Sequence, residues 1–571
     1  MTKPKIATWG FFFLFLVILF FVFRTLFLNL GYNLTSWLDV PYVIWVMGQN
    51  ADKIQHLDFS RIFETNAFYP NKLTLLYSDV FITQSIIYYL FSLFSKNIVL
   101  VFNLTLIATL ILNYWSLFIF WSLFTKNKLL SFLAVLLFFF SPFFFYQFGH
   151  FQMMSYWPLF FSLYFLLRQK EEFNARDSII CGIFLSLQFL ASVYLAIFLI
   201  FLLGLCLLLD LLFDLKSLSA VIKKSAVIFG IFILICGFFI KGYLDMKKIY
   251  NFQRNPAEYT TYSAHITDYF FTTGKDTVFN RIPIIQKWNS FNNHGWGERA
   301  GFPGFLLLTL SIVGILGIAF SRDKTPIRIT ANFKKKDIFF FTIMVMGFVF
   351  SLGIRLGFNG TVSSIPNIYE YLIRFIPFLD SIRGTARWSF LFYLGLTWFS
   401  MKGLQKILGG IERKNIKAAV AVLICAIFAI ESLPTKVSSH SEEYYVGYSK
   451  VESLCQKKKH LLLELPVSHL DHPDGIISGL NYISKVEMAS TLHDCYIFNG
   501  YSGFEPPNLI NFRSEISSIL DNGNVNSFIH LLKKEEIEII KINDRRWDNH
   551  VTKLVERKDL EKIGENLFLV R

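Results

Sequence analysis

Apolar runs of membrane length recur from the start of this chain to about residue 433, and they leave little choice of fold. The first, residues 7–28, is almost wholly Phe, Leu, Val and Ile. That meets the roughly 20 residues an α-helix needs to cross a bilayer core. In lipid a backbone must satisfy its own hydrogen bonds, so such runs fold as helices. Similar runs fall near 98–124, 129–147, 154–169, 177–192, 194–213, 224–241, 302–320, 337–357, 386–403 and 416–433. With 54% hydrophobic residues, a 571-residue chain of this pattern is expected to be an all-α polytopic transmembrane bundle of about eleven spans.

The formal charge of +14 would suit a nucleic-acid binder, but its distribution argues otherwise. Lys and Arg gather in short connections: Lys3/Lys5, Lys126/Lys128, Arg168 to Arg176, Lys223/Lys224, Arg322 to Lys336 and Lys402 to Lys417. These are the places that the positive-inside rule assigns to cytoplasmic loops. The threading then puts the N-terminus inside, with the first run retained as an anchor, since no small-residue cleavage site follows it. On the outer side lie the connections 29–97 and 242–301 and the C-terminal part. The segment 80–95 is read as interfacial or re-entrant, because counting it as a crossing would put Lys126/Lys128 outside.

The chain is therefore expected to divide into a transmembrane domain, 1–433, and an extracytoplasmic domain, 434–571. In the second part the apolar runs shrink to LLLEL (461–465) and IEIIKI (537–542), strand-like and set among helical patterns. A small C-terminal α/β domain follows. Cys181, Cys206, Cys236 and Cys425 lie in apolar runs and are expected to pack as small hydrophobes. Cys455 and Cys495 lie in the polar part, where a disulfide is open to them if that part is extracytoplasmic.

The ionisable groups that bear on function gather at the outer ends of the spans. Asp39, in SWLDVPY, and Asp79, in LLYSDV, sit among aromatic residues just after the first run. Each carboxylate is a candidate catalytic base, and each also fits a helix cap; Asp79 precedes the segment 80–95 and would cap it. Arg383 and Arg387 in LDSIRGTARWSF are spaced i,i+4 and are expected to share one helix face at the outer end of span 386–403. Cations at a helix N-terminus, on the side that the positive-inside rule depletes, call for an anionic partner. That partner is either a lipid phosphate gripped by paired guanidiniums or the nearby Asp380. Further substrate-binding candidates are Arg254 and Glu258 in the long outer connection, Glu298 before span 302–320, and His150 with Gln152 in FGHFQ; loop salt bridges and surface roles are their simpler readings. HExxH, Walker A, GxSxG and Rossmann glycine patterns are missing, which argues against nucleotide-dependent chemistry.

The order of these segments resembles the GT-C membrane glycosyltransferases, in their bacterial branches with an extracytoplasmic C-terminal domain. The resemblance is carried by SWLDVPY, FYP (68–70), YSD (77–79), FSPFFFYQFGHFQ (140–152), ASVYLA (191–196), RNPAEYTTYSAHITDY (254–269), ERAGFPG (298–304), IRGTARWSF (382–390) and HDCYIFNGYSGFEPP (493–507). It implies a multi-pass enzyme of the bacterial cytoplasmic membrane that moves sugar from a polyprenyl-phosphate carrier to an extracytoplasmic acceptor with inversion. By position Asp39 matches the first-loop acid that acts as base or orients the acceptor. Where many relatives have Gly before that residue, this chain has Leu38. No cofactor is implied beyond an optional divalent metal, left open because no DxD motif is found. A transporter or lipid-linked-sugar flippase would use the same spans but carry its charges within them. A non-catalytic assembly protein would use the outer loops only to pack.

Overall fold

Helices occupy all eleven apolar stretches in the computed structural model, which describes residues 3–571 except 37–38, 171, 273–276, 293–296, 300, 321–333, 435–436, 438–439 and 442–447. They are Lys3–Val22, Ile98–Ser122, Lys128–Phe139, Trp157–Leu167, Ala175–Ala191, Val193–Phe213, Leu218–Ile249, Phe305–Ala319, Lys335–Ser351, Ser389–Gly409 and Lys414–Ser432. Among the described residues, five helical stretches are long and apolar enough to cross a membrane, with shorter apolar helices at Ala7–Val22 and Phe305–Ala319. Their starts follow local chemistry. Asn97, Asn127, Asn174 and Ser192 each accept a backbone N–H from the first turn of the helix that follows. The segment 80–95 forms one helix, Ile82–Ser92. Its 11 residues span about 16 Å, well short of a bilayer core.

Helix Ser389–Gly409 is the keystone of the bundle, packed between Phe305–Ala319 and Lys335–Ser351. Glycines bring it into backbone contact with the first of these. A Cβ on Gly314 would stand 2.0 Å from the Phe399 carbonyl oxygen, and one on Gly403 2.1 Å from that of Leu310. Small residues at such crossings let backbones approach closely enough for dispersion to hold them.

The last part of the chain folds around a five-stranded sheet in the order Tyr496–Ile497, Leu461–Leu465, Ile539–Ile542, Leu567–Val570, Leu560–Gly564. The first three strands are parallel and the last two antiparallel. The chain leaves the middle strand of the parallel trio for one neighbour and then crosses to the other. Such a switch point opens a crevice at the carboxyl ends of the strands. A disulfide joins Cys455 to Cys495, at the start of the edge strand.

This unit is built onto the helical bundle rather than tethered to it. Residues 66–69 of the first long connection lie along the edge strand: Ile497 N–H donates to Asn66 O (2.7 Å), Tyr69 N–H to Ile497 O (3.1 Å) and Phe68 N–H to Asn499 O (3.1 Å). The exposed edge of the sheet is thus covered by a segment of the bundle. The Asn66 side chain accepts from Trp45 Nε1 and donates to the Ser490 and Cys495 carbonyls. Helix Ile476–His493 packs along helix Asp39–His56. On the same face an antiparallel hairpin, Arg355–Phe358 with Thr361–Pro366, turns at Asn359-Gly360 and rests on His265 and Thr267.

Candidate active site

Asp39 opens helix Asp39–His56 at the junction of the bundle and the sheet-bearing unit. Its carboxylate is held from two sides by parts of the chain far apart in sequence. Tyr501 Oη donates to Oδ1 at 2.7 Å. His150 Nε2 stands 3.6 Å from Oδ2. The Asp39 and His150 side chains keep 26% and 19% of their surface exposed, so the pair borders solvent and a substrate group can reach it. Burial, and then the adjacent Asp39 charge, hold the Tyr501 phenol well above its usual pKa range, which keeps it a donor toward Asp39. Tyr501 comes from the loop that leaves the carboxyl end of strand Tyr496–Ile497, where the sheet topology opens its crevice.

The same loop supplies the next contact. Gly503 O accepts from Arg254 Nη1 at 3.2 Å, while Glu258 Oε2 lies 3.4 Å from that nitrogen and the Phe252 ring lies under the guanidinium at 4.8 Å. Arg254 and Glu258 therefore form an ion pair at the edge of the junction. Gln152, two residues on from His150, has its Oε1 buried without a hydrogen-bond partner among the described residues. The Glu298 side chain lies outside the described residues.

Arg383 and Arg387 do not share a helix face. The chain is irregular at 382–384 and makes a single 3₁₀ turn at Thr385–Trp388 before the long helix begins at Ser389. The backbone at Gly384 (φ −84°, ψ 81°) is not helical, which breaks the repeat that the i,i+4 spacing suggested. The two arginines are aligned by tyrosines instead. Arg383 stacks over Tyr262 (4.9 Å) and Arg387 over Tyr194 (4.7 Å). Tyr194 Oη also accepts the backbone N–H groups of Arg383 (3.1 Å) and Gly384 (3.3 Å), so one phenol fixes the whole turn. Asp380 is not their anchor: its carboxylate forms an ion pair with Lys247, and its carbonyl accepts from Tyr259 Oη at 2.8 Å. Arg383 lies close enough to Tyr501 to act on its phenol electrostatically.

Asp79 is a different kind of residue from Asp39. It is 6% exposed, and Oδ1 accepts the Val193 N–H at 2.7 Å. It therefore caps helix Val193–Phe213, not the helix that follows it in sequence, which starts from Phe81 in a left-handed conformation with no side-chain cap. Burial raises the Asp79 pKa to about 6, against the opposing pull of the Val193 N–H and of Arg387. His265 and Asp268 serve the fold: Asp268 accepts the His265 backbone N–H, and His265 Nδ1 accepts from Gly360. Among the described residues no three His, Cys, Asp or Glu side chains converge to hold a metal ion. Among the described residues Asp39 and His150 fall short of a divalent-metal site.

Tyr501 and Tyr194 are the functional residues that side-chain type alone did not flag. Both lie inside segments that carry the family resemblance, ASVYLA and FNGYSGFEPP.

A family model described as Domain of unknown function (DUF6311) matches residues 12–430. No curated protein matches the chain. Among solved structures, the arabinofuranosyltransferase AftD from Mycobacteria superposes with a TM-score of 0.51 at 12% identity, covering 87% of this chain and 33% of that one. The chain thus spans about a third of the AftD length. The oligosaccharyltransferase AglB from Archaeoglobus fulgidus, in a complex with an inhibitory peptide and a dolichol-phosphate, gives 0.52 at 11% identity, covering 95% and 70%. The Archaeoglobus fulgidus oligosaccharyltransferase tethered to an acceptor peptide gives 0.53 at 12% identity, covering 94% and 69%. The fold is that of the GT-C membrane glycosyltransferases, and the protein is a multi-pass membrane protein.

Proposed function

The chain belongs to the DUF6311 family, and we propose that this member is a glycosyltransferase that moves a sugar from a polyprenyl-phosphate carrier to an extracytoplasmic acceptor with inversion. The observation that carries the reading is the Asp39 carboxylate held between Tyr501 and His150 at a solvent border, with Arg383 close by. In the reaction an acceptor hydroxyl gives its proton to Asp39 as its oxygen forms a bond to C1 of the sugar. The bond from C1 to the phosphate oxygen breaks from the opposite face, and its electron pair leaves with the prenyl phosphate. Asp39 supplies the general base. Arg383 and Arg387, aligned by Tyr262 and Tyr194, meet the charge that grows on the leaving phosphate.

The same reading puts the protein in a bacterial cytoplasmic membrane, N-terminus inside and residues 434–571 outside. The similarity of the fold to enzymes solved with a dolichol-phosphate and with an acceptor peptide supports a lipid carrier and an outer acceptor. The purified protein in lipid nanodiscs, given a panel of undecaprenyl-phosphoryl glucose, mannose, galactose and arabinose, each with n-octyl β-D-galactoside as a hydroxyl-bearing probe acceptor, should release undecaprenyl phosphate from one of them as the sugar passes to the probe or to water. Arg383→Gln or Arg387→Gln should lower donor use about tenfold or more, the worth of one charged hydrogen bond. Lysine at either position should restore part of it, having the charge without the planar fork. Movement of an intact sugar lipid across vesicles with no bond cleavage would instead identify a flippase.

A further inference from the structure

Glu487 is fully buried on helix Ile476–His493, where that helix packs along the one that begins at Asp39. Its Oε1 accepts the backbone N–H of Tyr501 at 2.7 Å, and the Tyr501 phenol donates to Asp39 Oδ1 at 2.7 Å. Two hydrogen bonds in series thus connect a carboxyl inside the C-terminal unit to the carboxylate at the solvent border. Glu487 Oε2 has no hydrogen-bond partner among the described residues.

The arrangement is costly for a mere structural tie. Taking a carboxyl fully out of water costs several kcal/mol unless it is well paired, and Glu487 has one N–H to offset that. The two units are already joined by neutral groups: Asn66 to Trp45, Ser490 and Cys495, and the backbone pairing of 66–69 with 497–499. The single bond of Glu487 goes instead to the residue that touches Asp39. Burial pushes its carboxyl well above the usual range, opposed by the Tyr501 N–H.

We propose that Glu487 is a positioning residue for the transfer reaction: it pins the Tyr501 backbone so that the phenol holds the Asp39 carboxylate in the orientation that meets the acceptor hydroxyl. The inference rests on the reading of Asp39 as the base. It differs from a packing role in what it forecasts. A group that acts through Tyr501 changes the rate of the chemical step, leaves donor binding alone and loses its effect once the Tyr501 hydroxyl is gone.

The test is a cycle of variants in nanodiscs, assayed with the undecaprenyl-phosphoryl sugar that the wild type cleaves. Glu487→Met keeps the volume and removes the acceptor; it should lower kcat about tenfold with donor KM within twofold of wild type. Tyr501→Phe should do the same, and the double variant should be no slower than the slower single, the non-additivity expected of residues acting in series. Glu487→Gln, which keeps a neutral acceptor in place, should stay within threefold of wild type. Thermal unfolding is measured for each. If Glu487→Met does not fold, Glu487→Asp, which withdraws the acceptor by one methylene, takes its place with the same expectations. A wild-type rate in Glu487→Met, multiplied losses in the double variant, or a Gln variant as slow as Met would each overturn the proposal. Asp39→Asn in the same assay separates the two readings. If it is inactive while Glu487→Met runs at the wild-type rate, only this inference fails; if it is fully active, the reading of Asp39 fails with it.

Discussion

Asp39 and Asp79 look alike in the sequence, two aspartates among aromatic residues in one connection, and the folded chain makes them opposites. One is partly exposed, accepts from the Tyr501 hydroxyl and has His150 nearby; the other is buried and fixed to a helix N-terminus. Sequence spacing held no sign of this, because the partners that decide it, Tyr501 and Val193, lie 462 and 114 residues away. The burial of Asp79 has a measurable consequence. Its folded pKa of about 6 lies above the ordinary value of 3.8, so the folded protein keeps the proton longer. As pH rises from about 4 to about 6 the unfolded chain holds fewer protons, and stability falls, by about 3 kcal/mol at most for a two-unit shift. Asp79→Asn keeps the cap acceptor without the charge. It should unfold at a higher temperature than wild type at pH 7.5 and at a similar one at pH 4. A lower value at pH 7.5 would mean that attraction to Arg387 outweighs burial.

At the scale of elements, the eleven apolar runs and the strands LLLEL and IEIIKI were legible because hydrophobic length and pattern report burial directly. Two features were not read. The hairpin Arg355–Phe358 with Thr361–Pro366 carries a plain signal, Asn359-Gly360, whose residues take φ of 44° and 88° as a two-residue hairpin turn requires. It went unread because it follows directly on an apolar run. The turn that bears Arg383 and Arg387 was read as helix from i,i+4 spacing, although Pro377 and Gly384 stand on either side of Arg383. Tyr194 fixes that turn at the head of helix Ser389–Gly409, whose position the glycine crossing sets. Gly403→Leu would drive a side chain into the Leu310 carbonyl. It should lower the unfolding temperature by several degrees or prevent folding, and any folded protein should use donor poorly. A fully stable, fully active Gly403→Leu would remove the crossing from the account.

At the scale of the whole molecule, segments that carry the resemblance and lie far apart in the chain, SWLDVPY and FNGYSGFEPP, meet through Asp39 and Tyr501. The bundle supplies most of the site and the loop after strand Tyr496–Ile497 supplies Tyr501 and Gly503; the pairing of 66–69 with 497–499 and the packing of helix Ile476–His493 on helix Asp39–His56 bring the two together. The proposed orientation in the membrane rests on the lysine and arginine distribution. Cysteines introduced at Asn522 and at Glu412, both exposed, should label from the outer side at the first position and not the second. The reverse pattern would put the site on the wrong side for an extracytoplasmic acceptor. The most direct test of the central claim is the rate of undecaprenyl phosphate release by Asp39→Asn, measured beside wild type with the donor the panel identifies. The substitution keeps the size of the side chain and removes the base. The account predicts a fall of at least 100-fold, the usual scale for loss of a general base, with an unchanged unfolding temperature; a variant that transfers sugar at the wild-type rate would contradict it.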